Sequence, residues 1–407
     1  MSTVTAAPGR LLSGGVTPPA SKSQSHRLII AAALAQGESR LDNLSMSQDI
    51  EATLGCMKAL GARTEGGRVW GAPLENGVPA QLPRLDCCES GSTLRCLIPV
   101  ALAVAGGGIF TGRGRLLQRP MEPYERLFRE KGIFYEATPR AITVRGRLEP
   151  GVYQLPGNVS SQFITGLLFA LPLLGGDSEL RLTTALESSG YVDMTLDALN
   201  RFGVTVQPVE KGWSIPGGQS YRPRNLAVEG DWSQAAFYYA AQFLGSSVFV
   251  TGMNPDSCQG DKVILPYLKR LKEPGEAELD VSQCPDLAPA LALSAALRAG
   301  ETTHLVNAGR LRMKESDRID TVTTELNKLG AEIEAGSDFM TIHGVSRLRG
   351  GETDSHNDHR IAMMLAVAAT RAEGPMTIHD AGSVAKSYPH FWTDYERLGG
   401  QLTWQEE

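Results

Sequence analysis

A chain of 407 residues is long for one hydrophobic core and comfortable for two, because single cores stop growing at roughly 250–300 residues. Its 42% hydrophobic and 21% charged residues are those of an ordinary globular protein, and a net charge of -6 excludes a general nucleic-acid surface, so any basic site must be local. The first residues, Met1-Ser2-Thr3-Val4-Thr5-Ala6-Ala7, lack the charged region and apolar stretch of a secretory signal. The most apolar runs, 96–110 and 163–174, are broken by Gly or Pro and fall short of the ~18 residues that span a bilayer. A soluble cytoplasmic protein is expected. Cys56, Cys87, Cys88, Cys96, Cys258 and Cys284 form no CxxC pair and no metal-ligand spacing with the histidines, so free buried thiols are expected, with no disulfide and no structural metal.

One pattern recurs along the chain: apolar residues at helical spacing give way to a glycine that can take positive φ as a C-cap. It ends at Gly61, Gly132, Gly203, Gly275, Gly330 and Gly399. All but the fourth are followed promptly by strand-like alternation, such as residues 62–64 and 204–206. The spacing, roughly sixty to seventy residues, suits a whole supersecondary unit rather than a solenoid repeat. Six copies of one α/β unit, three in each of two domains, are the expected plan.

Between these helices, small hydroxyl residues and cations gather just ahead of apolar stretches. Residues 19–27, with Ser21, Lys22, Ser23 and Arg27, read as a loop feeding a buried helix over 28–34, which suits a phosphate or carboxylate at a helix N-terminus. Residues 89–95 lead into the apolar 96–102, and Gly91 allows close backbone approach. Arg119-Pro120-Met121 precedes the second glycine-ended helix. Ser160, Ser161 and Gln162 precede the apolar 164–174, and Ser188-Ser189-Gly190-Tyr191 precedes the third such helix. Residues 312–318 pack five ionised groups before a helix over 321–329, and Asn357-Asp358-His359-Arg360 runs straight into the apolar 361–367. Lys386 and Asp286 sit among small and apolar neighbours, where a buried charge needs a partner.

Taken in order and approximate spacing, Ser21-Lys22-Ser23 with Arg27, Ser160-Ser161-Gln162, Lys314-Glu315-Ser316-Asp317-Arg318, Asn357-Asp358-His359-Arg360 and Ala385-Lys386-Ser387-Tyr388-Pro389 resemble the enolpyruvyl transferase family, in its branch acting on shikimate 3-phosphate. The resemblance covers nearly the whole chain. It implies an α/β (α+β) protein, a two-domain inside-out α/β barrel of six βαβαββ units. Residues 1–18 and 229–407 would form a discontinuous domain and residues 19–228 a continuous one, closing about a hinge, with helix N-termini adding positive potential to the cleft. The implied reaction moves the enolpyruvyl group of phosphoenolpyruvate to the 5-hydroxyl of shikimate 3-phosphate by addition and elimination, in a cytoplasmic monomer with no cofactor, no metal, and no nucleic-acid or membrane partner.

By match to the family, Asp286 takes the proton from the 5-hydroxyl, Glu315 exchanges a proton with the methylene carbon, and Lys22 contacts both substrates and assists proton transfer or phosphate departure. Phosphoenolpyruvate is expected on Arg318 and Arg360 through its carboxylate, and on Lys22, Arg119, Gln162 and Lys386 through its phosphate, with Gly91 close by. Shikimate 3-phosphate is expected on Ser160, Ser161 and Ser188 through its phosphate, with Gln162 facing both substrates. Ser23 and Arg27 would take its carboxylate, and Asp286 and Lys314 its ring hydroxyls, with Tyr191 at the border. Two positions depart from the family's pattern: Glu89 stands where an amide is common, and Arg310 where Asn is common. The family's inhibitor glyphosate competes for the phosphoenolpyruvate site, so sensitivity is an expectation resting on Gly91. A sister enzyme acting on UDP-N-acetylglucosamine is disfavoured because residues 111–120 lack its reactive Cys or Asp. A non-catalytic anion-binding module is disfavoured by the joint presence of Asp286, Glu315 and Lys22.

Overall fold

The computed structural model describes residues 2–71 and 81–405. Backbone contacts gather into two compact units, Met1–Pro19 with Glu229–Glu407, and Ala20–Val228. The chain thus leaves the first unit after Pro19, one residue beyond the expected crossing, and re-enters it at Glu229. Each unit holds its own apolar core. No helix among the described residues is long and apolar enough to cross a membrane.

The glycine pattern determines the local structure. Gly61, Gly132, Gly203, Gly275, Gly330 and Gly399 all have positive φ, between 67° and 99°. All but Gly275, which follows an extended cap at Glu273, directly end a helix that buries one face, as Glu122–Glu130 does through Pro123, Tyr124, Leu127 and Phe128. Alternating with these are helices buried on every side: Lys22–Leu34, Gly91–Ala105 and Ser161–Ala170 in one unit, Trp232–Phe243, Ala288–Ala296 and His359–Ala369 in the other. Helices therefore fill the interior of each unit while its sheets lie outside.

A complete repeat is seen in the sheet of Arg84–Asp86, Gly107–Thr111, Phe134–Ala137 and Ile142–Arg145. The first two strands pair parallel across a buried helix, the second pairs antiparallel with Ile142–Arg145, and a hairpin adds Phe134–Ala137. Val152–Leu155 opens a second such sheet, and Asn225–Ala227, the last strand of its unit, lies parallel to Glu38–Asp42 and completes the third. In the other unit Thr3–Ala6 does a comparable job, pairing with both Met376–His379 and Leu402–Gln405. Both chain crossings thus leave a strand whose partners lie far away in sequence.

One repeat is shortened. Ser13–Val16 and Ser247–Val250 form a two-stranded parallel sheet, and the helix after it, Ile264–Lys272, is followed by no hairpin. This is the fourth repeat, whose glycine lacked a following alternation in the sequence. The strand after Gly275, Ala277–Asp280, starts the next sheet instead, parallel to Thr302–Val306.

Three local expectations are corrected. The segments read as loops before helices are largely first helical turns: helices begin at Lys22, Gly91, Ser161 and Arg318, so Ser23, Arg27, Arg95 and Gln162 are helical. Capping explains it, because Ser21, Ser90, Ser160 and Asp317 each accept a backbone N–H of the first turn. Residues 204–206 are not strand. The Gln219 amide takes both backbone groups of Thr205, at 2.7 and 2.9 Å, and the ladder starts only at Gln207. The six thiols are free, but Cys88 and Cys258 are only partly buried.

Helix Ser161–Ala170 lies against Gly91–Ala105 so closely that a Cβ on Gly166 would sit 2.7 Å from the Arg95 carbonyl and 2.5 Å from the Tyr124 hydroxyl, which bonds the carbonyls of Arg95 and Phe163. Gly166→Ala is expected to destabilise the protein by about 1–3 kcal/mol through overpacking, read as a lower urea midpoint at unchanged m.

Candidate functional site

In the unit containing Glu229–Glu407, charged side chains from separate helix starts meet. Arg318, the first residue of its helix, has 1% of its side chain exposed. It donates through Nε and Nη2 to both oxygens of Asp358 at 2.8 and 3.2 Å, through Nη1 to Asp286 at 2.9 Å, and through Nη2 to Glu315 at 2.8 Å. Asp358, fully buried, also accepts Ser316 Oγ at 3.1 Å and caps the helix His359–Ala369 by accepting the Arg360 N–H at 3.0 Å. Arg360 then reaches Asp286 Oδ2 at 2.8 Å and Ser233 Oγ at 3.0 Å, and Lys314 Nζ lies 3.5 Å from Asp286. The Lys386 ammonium donates to the carbonyl of Asn357 at 2.6 Å, next to Asp358.

Of the five charges in 312–318, only Lys314, Glu315 and Arg318 belong to this cluster. Arg312 and Asp317 pair with each other at 2.7 Å, and Arg312 also holds the carbonyls of Gly336 and Ser337. Arg310 donates to the carbonyl of Ser282 at 2.5 Å. While Arg318 and Asp358 are sealed, the side chains of Asp286, Glu315 and Lys314 are 16%, 18% and 30% exposed. These three are therefore its more exposed members.

The electrostatics follow from that packing. Burial alone would raise the Asp286 carboxyl, but Arg360, Lys314 and Arg318 outweigh it, even against Glu315, and hold it well below the usual carboxylate range. Burial lowers the Lys314 ammonium, and the neighbouring Asp286 only partly restores it. Burial pushes Asp358 up as well, yet Arg318 keeps it ionised. Lys314, Arg318 and Arg360 thus face the carboxyl groups of Asp286, Glu315 and Asp358.

The Ala20–Val228 unit also joins its helix starts, here mainly through neutral groups. Lys22 Nζ bonds Asp49 Oδ2 at 2.9 Å, linking the first turns of Lys22–Leu34 and Gln48–Ala59. His26 Nδ1 and Thr53 Oγ1 lie 2.7 Å apart, Thr53 and Thr93 hydroxyls 2.7 Å apart, and Thr93 donates to Ser90 Oγ at 2.8 Å. Burial, then Lys22 and Arg27, push the His26 imidazole well below its ordinary value, so it is neutral in this chain of hydroxyls. Ser90 caps the helix that opens with Gly91, where a Cβ would lie 2.8 Å from Arg119 Nη1 and 3.6 Å from Gln162 Oε1. Gln162 accepts Arg95 Nη1 at 2.9 Å and donates to Ser92 Oγ at 2.9 Å, while Arg95 also holds the carbonyl of Pro120 at 3.1 Å.

Ser160 caps its helix by accepting the Gln162 N–H at 3.3 Å, and Ser161 follows it as the first helical residue. Arg27 is nearly buried; it donates to the carbonyls of Ser23 at 2.6 Å and Tyr191 at 2.8 Å and to Thr195 Oγ1 at 2.9 Å. Ser188, at φ 55°, stands at the N-cap of the helix bearing Tyr191 and Thr195. Glu89 is turned over Gly114, where a Cβ would come within 2.8 Å of its Oε2.

Sequence reasoning thus named most of the residues that meet, but missed four that hold them: Asp49, Arg95, Asp358 as a counter-charge, and Ser233. Arg95 and Asp358 stood inside quoted motifs, and a buried charge there required a partner. Nothing in the local sequence marked Asp49 or Ser233.

Two α/β units whose buried helices carry arginines, lysines, hydroxyls and carboxylates near their N-termini have the make-up of an enzyme for small anionic substrates. A family model described as EPSP synthase (3-phosphoshikimate 1-carboxyvinyltransferase) matches residues 6–395. A protein named 3-phosphoshikimate 1-carboxyvinyltransferase from Clostridium acetobutylicum is 44% identical over 96% of each chain, and one from Clostridium perfringens is 45% identical over 96% of this chain and 97% of its own. The solved EPSP synthase of Acinetobacter baumannii is 26% identical, superposes with a TM-score of 0.81 and is covered over 100% of both chains. This chain belongs to the EPSP synthase family.

Removing the counter-charge of a buried guanidinium is costly. Asp358→Ala is expected to lower the stability of the protein by ~3–5 kcal/mol, measured by urea unfolding near neutral pH, more than any change at the exposed pair Arg126–Glu130.

Proposed function

We propose that this enzyme transfers the enolpyruvyl group of phosphoenolpyruvate to the 5-hydroxyl of shikimate 3-phosphate, releasing phosphate, through a tetrahedral addition product. The reading rests above all on Asp286, held between Arg318 and Arg360 with Lys314 and Glu315 beside it. Both arginines keep a second anchor, Asp358 for one and Ser233 for the other, so each can exchange Asp286 for a substrate carboxylate without losing its place. Planar forks suit that bidentate exchange.

The exchange prepares the base. With both guanidiniums shared by an incoming carboxylate, the burial that favours a protonated Asp286 is less opposed, and its basicity rises when the second substrate is present. Asp286 then accepts the proton of the 5-hydroxyl as its oxygen attacks C2 of the enol. Glu315 delivers a proton to the methylene carbon and withdraws one in the elimination. Lys22, fixed by Asp49, steadies the departing phosphate, with Arg119, Gln162 and Lys386 as further donors and Gly91 leaving the backbone bare beside Arg119. Ser160, Ser161 and Ser188 offer neutral donors to the phosphate of the other substrate and Ser23 and Arg27 serve its carboxylate. Lys314 and Asp286 serve the ring hydroxyls, and Tyr191 borders the site.

Phosphate is expected on mixing the protein with both substrates and with neither alone. Arg360→Ala and Lys22→Ala are expected to lose two to four orders of magnitude in turnover with the fold intact, from the ~3–5 kcal/mol that a desolvated ion pair is worth when one member is removed. Retention of more than about a tenth of wild-type activity by Arg360→Ala would remove that residue from the site.

The pH dependence carries a sign. The free enzyme holds Asp286 ionised far below the usual range, whereas the substrate complex relieves that hold, so the acid limb of kcat is expected at higher pH than the acid limb of kcat/KM for phosphoenolpyruvate. Coincident limbs would show that Asp286 is not released on binding.

A further inference from the structure

The helix Arg318–Lys328 carries two buried ionic side chains on one face, Arg318 and Glu325, two turns apart. Arg318 belongs to the cluster described above; Glu325 takes part in no step of the reaction. Its carboxylate is fully buried, yet both oxygens are engaged. Oε1 accepts His356 Nε2 at 2.7 Å and Lys328 Nζ at 2.8 Å, and Oε2 accepts the backbone N–H of Asp354 at 3.1 Å. The backbone N–H of His356 donates in turn to Asp354 Oδ1 at 2.6 Å.

These bonds enclose an unusual piece of backbone. His356 and Asn357 both have positive φ, 53° and 55°, a left-handed conformation that a non-glycine residue keeps only where its surroundings over-determine it. The turn leads directly into the site. The Asn357 carbonyl receives Lys386, and Asp358 receives Arg318 and starts the helix carrying Arg360. Three cations assigned to phosphoenolpyruvate thus take their bearings from residues 357 and 358. The helix grips the same turn at two points, through Arg318 at Asp358 and through Glu325 at Asp354 and His356.

We propose that Glu325 and His356 are a positioning pair for phosphoenolpyruvate binding: together they hold the turn at 354–358 in its left-handed form and so set where Lys386, Arg318 and Arg360 stand. The inference rests on the reaction proposed above. The charged groups facing His356 are Glu325, Asp354 and Lys328. The bond to Glu325 raises the imidazole above its ordinary value, against burial and Lys328. A raised value means that the charged contact is complete below about pH 6.5 and is lost as pH climbs through the folded-state value. The grip on the turn is therefore tightest at the acid side of neutrality.

The test is phosphate release by the full-length protein at saturating shikimate 3-phosphate and varied phosphoenolpyruvate, between about pH 6 and pH 9, with thermal melts of each variant. His356→Gln is expected to raise KM for phosphoenolpyruvate about ten-fold at the acid end, the worth of one hydrogen bond to a charged group, while kcat changes less than about two-fold and the rise of KM with pH flattens. Glu325→Gln is expected to raise KM at least as much. Adding His356→Gly to Glu325→Gln is expected to recover part of that loss, because glycine enters the left-handed region without the steric cost. A KM within about two-fold of wild type for His356→Gln across the whole pH range, in a protein that melts normally, would overturn the inference even if Glu325→Gln fails to fold. So would a loss confined to kcat. A wild-type protein that releases no phosphate from the two substrates overturns the proposed reaction and this inference with it; normal wild-type turnover with unchanged KM in the variant overturns this inference alone.

Discussion

A guanidinium shut away from water must find its counter-charge within the protein, because moving an unpaired ion out of water costs far more than any single contact returns. Arg318 finds it in Asp358, and much of the Glu229–Glu407 site is arranged around that pair. Asp358 caps a helix by accepting the Arg360 N–H, so the partner of Arg318 also starts the helix that carries Arg360. Both arginines then converge on Asp286, at the entry to the buried helix Ala288–Ala296. The Asn357 carbonyl, one residue before Asp358, brings in Lys386. One buried ion pair therefore joins the starts of several helices, and the groups proposed to react stand around it.

The Ala20–Val228 unit solves the same problem with neutral groups. Serine side chains cap its buried helices, and hydroxyls and amides do most of the joining: Thr53 with Thr93, Thr93 with Ser90, Thr165 with Thr195, Gln162 with Ser92. Such contacts carry little desolvation cost and leave the positive ends of the helix dipoles uncancelled. One unit thus holds a cluster of paired charges, whereas the other holds a network of mainly neutral hydrogen-bonding groups. The contrast matches the chemistry proposed for them, proton transfer at Asp286 and Glu315 in the first and retention of a phosphate on Ser160, Ser161 and Ser188 in the second.

The shortened fourth repeat shows how far a local pattern carries. Glycine-ended helices were legible because a C-cap is a property of one residue's backbone, and five of the six glycines follow their helix directly at positive φ, whereas Gly275 stands two residues beyond an extended cap at Glu273. The missing hairpin after Ile264–Lys272 was legible too, as an absent alternation. Helix starts were less so. Serine caps recruited Lys22 and Gln162 into first turns, and Arg95 into the helix just beyond one, where the polar composition had presented loop. Arg312 and Asp317 looked equal to Arg318 and Glu315 in a seven-residue run, and only their partners separated them.

The amino-acid sequence by itself determined the repeat plan, most of the capping glycines and the segments in which the candidate site residues lie, because each of these depends on neighbours within a few positions. The tertiary structure alone decided that Asp49 secures Lys22, that Ser233 anchors Arg360, that Asp286 stands between two arginines and that Glu325 reaches a turn some thirty residues away. Such pairings join residues 27 to 127 positions apart. They depend on which helix ends the folded chain brings together, and no local preference encodes that.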